Sequence, residues 1–323
     1  MITRRSVLAQ AAALLSATAL SPSVLAQAFP TKPIRIIVPF PPGGPADTAV
    51  RIVQPGMEKA LGQSIVVENV AGAAGGIGAA RVKQAEPDGH TLLQAASPHT
   101  TNAAVKPDAN VDLLRDFVPI GQTGNSVYTL VASNALGAKT LDDVIARAKA
   151  KPGELKIGSV GVGSTHHLIA EMLKAAAGID LTHVPYRGEA PSIPDLVSGR
   201  IDLMFLTTAK QHIDNGQMVG LGVTSAEPWF QLPQLRPLAE LGLKGFVVPG
   251  WNGLMAPKGT PPAVVTRLSD ALSASLKPEA SVKAFNAMGF RPGTGAPGPM
   301  KAQIDDDMRL FTAVIRERSL KFD

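Results

Sequence analysis

The chain has 323 residues, with 31 Lys and Arg against 26 Asp and Glu, a formal net charge of +5 and no cysteine. The missing cysteine excludes a disulfide framework, a thiol nucleophile and a lipid-bearing cysteine, so stability has to come from core packing. The basic residues are scattered and aromatic residues make up only 4%, which argues against a nucleic-acid partner, since phosphate contacts need clustered charge.

Residues 1–28 read as a secretory signal. Arg4 and Arg5 form a positive start, 7–20 is an apolar run rich in Ala and Leu, and small residues lie near Ala26 and Ala28. The stretch from Thr3 to Leu8 also resembles a twin-arginine export motif, so the general and the twin-arginine routes both stay open. No later segment reaches the roughly 20 apolar residues of a membrane span. The remaining chain is long enough for two domains.

From there strands and helices alternate. Residues 34–38 read as a buried strand, followed by a Pro/Gly turn and a helix over 47–61 that Pro55-Gly56 should kink or break. Next come a strand at 65–68, a helix at 75–84 and a strand at 91–95. After a polar, irregular stretch at 108–122, a strand is expected at 127–132 and a Thr-capped helix at 140–149. Then follow strand 156–159, helix 165–177, strand 182–184, helix 190–198, and strands 201–206 and 219–224. A Gly-rich stretch at 242–253 precedes strand 253–256 and helices at 261–276, 279–288 and 299–318. Such alternation means an α/β protein with parallel sheets covered on both faces. The two composition shifts suggest two lobes joined by two chain crossings, with 29–125 and 252–323 in the first lobe and 126–251 in the second. Folds of this kind bind ligands in the cleft between lobes, at the carboxyl ends of strands.

The stretch IRIIVPFPPGGPAD at 34–47 is the most informative. A strand, a glycine turn and a helix start present backbone N–H groups at the positive end of a dipole, which suits an anion without any cationic side chain. The plain alternative is a tight strand-to-helix turn.

Six segments carry a resemblance. They are FPTKPIRIIVPFPPGGPAD (29–47), VVENVAGAAGGIGAA (66–80), GSVGVGSTHHLIAEML (158–173), HVPYRGEAPSIPDLVSGRIDLMF (183–205), GVTS (222–225) and WNGLMAPKGTP (251–261). In this order the chain resembles the Bug-type periplasmic solute-binding receptors of tripartite tricarboxylate transport systems. The resemblance implies a two-lobed Venus flytrap, each lobe a mostly parallel sheet flanked by helices. It implies a small carboxylate-bearing ligand held by backbone N–H groups and ordered waters, and delivery to a two-subunit membrane permease. It further implies a periplasmic location and a monomer, with no reaction, metal or cofactor.

On that reading Phe40, Pro42, Gly43, Gly44, Pro45 and Asp47 form one wall of the site, with Asp47 capping the helix. Ala73, Ala74 and Gly75 supply small side chains and open amides in the same lobe. Gly161, Gly163, Ser164 and Thr165 face them from the other lobe, where hydroxyls and helix-start amides would grip a second carboxylate. Arg187 would pair with a carboxylate or be a solvated loop residue. Asp202 would hold an ammonium or hydroxyl, or orient a loop. His167 is read as structural and His166 as a surface residue. A hydrolase is disfavoured, because neither Ser159 nor Ser164 sits in a Gly-x-Ser-x-Gly elbow. A nucleotide site lacks the Gly-Lys-Ser/Thr loop, and no His/Asp/Glu cluster has metal spacing. A receptor that signals to a membrane sensor would use the same ligand site.

Overall fold

A computed structural model describes residues 29–105, 111–317 and 319–320. The expected export signal at 1–28 lies outside the described residues, as does the part of the irregular stretch at 108–110.

The first lobe grows from β1 (Ile34–Val38), whose Ile34, Ile36, Ile37 and Val38 are fully buried. A β-branched run this apolar is suited to the middle of a sheet. It leads into α1 (Pro45–Leu61), with Pro at the first helical position and Gly62 closing the helix in a left-handed conformation. Pro55 does not break α1. The adjoining Gly56 is where α1 crosses a later helix, and a Cβ there would fall 2.6 Å from the Ser275 Cβ. The Pro-Gly pair is thus a close-packing device inside a continuous helix. Next come β2 (Ile65–Asn69), a short 3₁₀ turn (Ala73–Gly75), α2 (Gly76–Lys83) and β3 (Thr91–Ala96). β1 runs parallel to both β2 and β3.

Several elements escape the sequence reading. α3 (Ser97–Val105) is a helix of mostly small and polar residues. The stretch expected to be irregular holds α4 (Leu113–Asp116), capped by the Asp112 carboxylate, and the 11-residue strand β4 (Phe117–Val127). β4 buries Gln122, Thr123 and Ser126, and polar residues in a buried strand hide its period.

The second lobe holds β5 (Thr129–Ser133), α5 (Leu141–Ala150) with its Thr140–Asp143 capping box, and β6 (Lys156–Ser159). It continues with α6 (Thr165–Ala177), β7 (Thr182–Pro185), α7 (Glu189–Val197), β8 (Leu203–Leu206), α8 (Ala209–Asp214) and β9 (Met218–Val223). The chain then returns to the first sheet through β10 (Pro249–Pro257), followed by α9 (Pro262–Leu276), α10 (Glu279–Ala287), β11 (Arg291–Pro292) and α11 (Pro297–Glu317).

The sheet orders are β11-β4-β10-β3-β1-β2 and β7-β6-β8-β5-β9. Each sheet has a parallel trio, β2-β1-β3 and β7-β6-β8. The mostly parallel sheets of the sequence reading are in fact mixed, because β10 and β4, and β5 and β9, pair antiparallel. The antiparallel strands include those that lead the chain across. β4 ends at Val127 in one sheet and β5 starts at Thr129 in the other, with Tyr128 between them. Thr224 ties this crossing to the return. Its N–H donates to the Tyr128 carbonyl at 2.9 Å, its hydroxyl accepts the Tyr128 N–H and donates to the Val248 carbonyl, and its own carbonyl accepts the Val248 N–H. α11 adds a third connection that two crossings leave out. Its Met300 and Ile304 pack with the first sheet's core, while Phe311 is buried among the second lobe's apolar residues.

Candidate functional site

The turn after β1 is held by Asp47. Its carboxylate accepts the Gly43 N–H at 2.9 Å, Arg51 Nε at 2.9 Å and Asn69 Nδ2 at 3.0 Å. Burial pushes this carboxyl up, but the bonds from Arg51, Gly43 and Asn69 outweigh it and hold Asp47 below its ordinary value. Asp47 is therefore committed to shaping the turn rather than facing a ligand. It is not the helix cap either; Gly44 is, and no side chain caps α1. Gly43 carries the positive φ of +78°, which favours glycine. Its N–H is spent on Asp47, while Gly44 is extended and buried. The orphan N–H groups at the start of α1 thus remain for another partner.

Phe40, Pro41, Gly44, Pro45 and Ala46 line a cavity. Ala96, Pro98, Ser126, Trp251 and Asn252 complete its first-lobe side. Tyr128 at the crossing, with Val160, His166, Gly188, Glu189, Ala190 and Thr207, forms the opposing side. The cavity therefore lies between the lobes, with a helix N-terminus on its wall.

The remaining expected residues fall elsewhere. Pro42 and Gly43 are exposed beside the cavity. Ala73 and Ala74 have φ of 49° and 52°, and with Gly75 they make a left-handed run off the cavity wall. Such strain costs on the order of 1 kcal/mol per residue. Gly75 packs against His99 and Phe40, where a Cβ would lie 2.6 Å from His99 Nε2. The Gly161 loop meets Ala74 across the lobes. Ser164 caps α6 by accepting the His167 N–H and donates to the Gly161 carbonyl at 2.7 Å. Thr165 bonds the Thr101 hydroxyl of the facing lobe at 2.7 Å. Both residues are fully buried and their hydroxyls are used by the protein itself: Ser164 holds the Gly161 loop to α6, and Thr165 ties the two lobes together. The Gly163 N–H donates to His167 Nδ1, in keeping with a structural His167. Arg187 is exposed and off the wall. Asp202 sits at the start of β8 and accepts the Lys156 N–H at 2.7 Å, at the end of the sheet opposite the Gly161 loop.

The residue most misplaced by sequence reasoning is His166. It is 3% exposed rather than on the surface, with its ring edge-on to Tyr128. Its Nε2 bonds Glu189 Oε1 at 2.9 Å, and Glu189 is itself buried. Trp251 is fixed by two bonds. Its N–H donates to Ser97 Oγ at 2.9 Å, and its indole Nε1 donates to Asp307 Oδ2 of α11 at 2.8 Å. An acidic residue at the first position of a helix reads as dipole compensation, so the sequence offered no separate signal for Glu189.

Among the described residues no group of His, Cys, Asp and Glu could hold a metal. Also among them, no helix is long and apolar enough to cross a membrane. Two α/β lobes joined by crossing strands around a cleft define a solute-binding receptor of the periplasmic binding class rather than an enzyme. The chain belongs to the tripartite tricarboxylate transporter receptor family, TctC, whose model matches residues 49–320. Protein BugT of Bordetella pertussis is 34% identical over 302 residues, 92% of this chain and 93% of that protein. The structure of the periplasmic binding protein BugD aligns with a TM-score of 0.86 at 30% identity, covering 91% of this chain and 99% of that one. MatC from Rhodopseudomonas palustris with bound malate aligns with a TM-score of 0.85 at 29% identity, over 89% of this chain and 100% of that one.

Proposed function

We propose that this receptor captures a small carboxylate-bearing solute in the cleft after export to the periplasm, and delivers it as a monomer to a two-subunit membrane permease. The observation that carries the reading is the start of α1. An uncapped 17-residue helix presents its N-terminus to the cavity through Gly44, Pro45 and Ala46, and such an end suits a carboxylate. The malate bound by MatC supports the same class of ligand. Among the residues expected from sequence, Phe40, Gly44 and Pro45 touch the ligand, while Asp47 and Gly43 shape the turn. Calorimetric titration with a panel of mono- and dicarboxylates tests the proposal. At least one acid should bind without turnover, and Gly44→Val should weaken it at least tenfold, about 1.4 kcal/mol, with the fold retained. Unchanged affinity in the variant would remove the carboxylate from the α1 start.

A further inference from the structure

Glu189 is surrounded by donors. Its Oε1 accepts His166 Nε2 at 2.9 Å, the Thr207 N–H at 3.0 Å and the Thr207 hydroxyl at 2.7 Å, and its Oε2 accepts the Thr208 hydroxyl at 3.0 Å. Burial pushes its carboxyl up, but the hydrogen bonds from His166 and Thr207 outweigh that and hold it below its ordinary value. A carboxylate held as an anion places the shared proton on Nε2 of His166. The other ring nitrogen, Nδ1, is buried without a partner, and so is Ser126 Oγ. Both residues are 3% exposed and both line the cavity, one from each side of the crossing. With Nε2 protonated, Nδ1 offers a lone pair.

The rest of the wall is mostly apolar, through Phe40, Pro98, Tyr128, Val160 and Trp251. A second ligand carboxylate against His166 would meet a lone pair with a buried negative charge behind it. A hydrogen-bond donor would meet an acceptor that is otherwise buried and unfilled, which is costly. Building on the receptor reading above, we propose that His166 Nδ1 and Ser126 Oγ form a donor-reading subsite. The ligand is then a hydroxy or amino acid with an apolar body, its carboxylate at the start of α1 and its O–H or N–H at His166.

Two matched sets of acids test this by calorimetry on the full mature protein. One set is butanoate, 4-hydroxybutanoate, 4-aminobutanoate and succinate. The other is benzoate, 4-hydroxybenzoate, 4-aminobenzoate and benzene-1,4-dicarboxylate. In at least one set the donor-bearing acid should bind at least tenfold tighter than the dicarboxylate of the same length. His166→Leu should remove that preference, and the hydroxyl and amino arms separate the two donors. Ser126→Ala, which leaves the Glu189 network whole, should weaken the donor-bearing acids at least threefold more than the monocarboxylates, and serves if His166→Leu does not fold. Tighter binding of the dicarboxylates, or a donor preference that survives both substitutions, would overturn the subsite while leaving the receptor reading standing. Failure of every acid, the monocarboxylates included, would overturn both.

Discussion

Asp307 shows how one buried side chain couples site geometry to pH. Burial raises its carboxyl to about 6, against the opposing bonds from Trp251 and Gln303. Folding therefore tightens proton binding. The stabilisation is fully present below the ordinary value of 3.8 and is lost as pH rises through about 6. Two units correspond to roughly 2–3 kcal/mol. Asp307→Asn keeps an acceptor for the Trp251 indole without the charge. Its unfolding free energy should exceed that of the wild type at pH 7, and the two curves should converge near pH 4. Denaturant titrations from pH 4 to 8 check this, and parallel curves for the two proteins would refute it. His166 makes the complementary point about legibility. A His-His pair at a helix start has no pattern that separates a solvated ring from a buried one. Burial of His166 depends on Glu189, 23 residues on, and on Tyr128 at the crossing.

Among elements, the segments read best were those whose apolar runs and caps carry their own signal. β1 and β6 have the expected limits, and so does α6, opened by Ser164. α3 and β4 were missed because their buried faces are polar, Thr100 and Thr101 in one and Gln122 and Thr123 in the other. Their burial is decided by what packs over them rather than by local period. The start of α7 supplies a test of lobe contact. Gly188 has a φ of +155°, and a Cβ there would lie 2.7 Å from Pro41 Cδ of the facing lobe. Gly188→Ala should hold the lobes apart by a few tenths of an ångström and add backbone strain. Ligand affinity should fall at least tenfold, with an intact circular dichroism spectrum; wild-type affinity in this variant would show that the contact does not matter to the bound state.

For the whole molecule, the cavity wall is shared between lobes, so a ligand gains contacts on closure and shifts the population towards it. Small-angle scattering should show a smaller radius of gyration on saturation with a binding acid, and identical curves would dismiss closure. The two-lobed plan was legible because six distinct segments stand in order along the chain. The cavity lining was legible only in its β1 turn, since the opposing wall exists once two distant segments meet. The C-terminal helix has its first turns in one lobe's core and Phe311 in the other's. Such a strut resists hinge rotation unless it bends or Phe311 leaves its seat. A receptor braced this way opens reluctantly, so a captured solute departs at a pace set by the brace as much as by its own contacts.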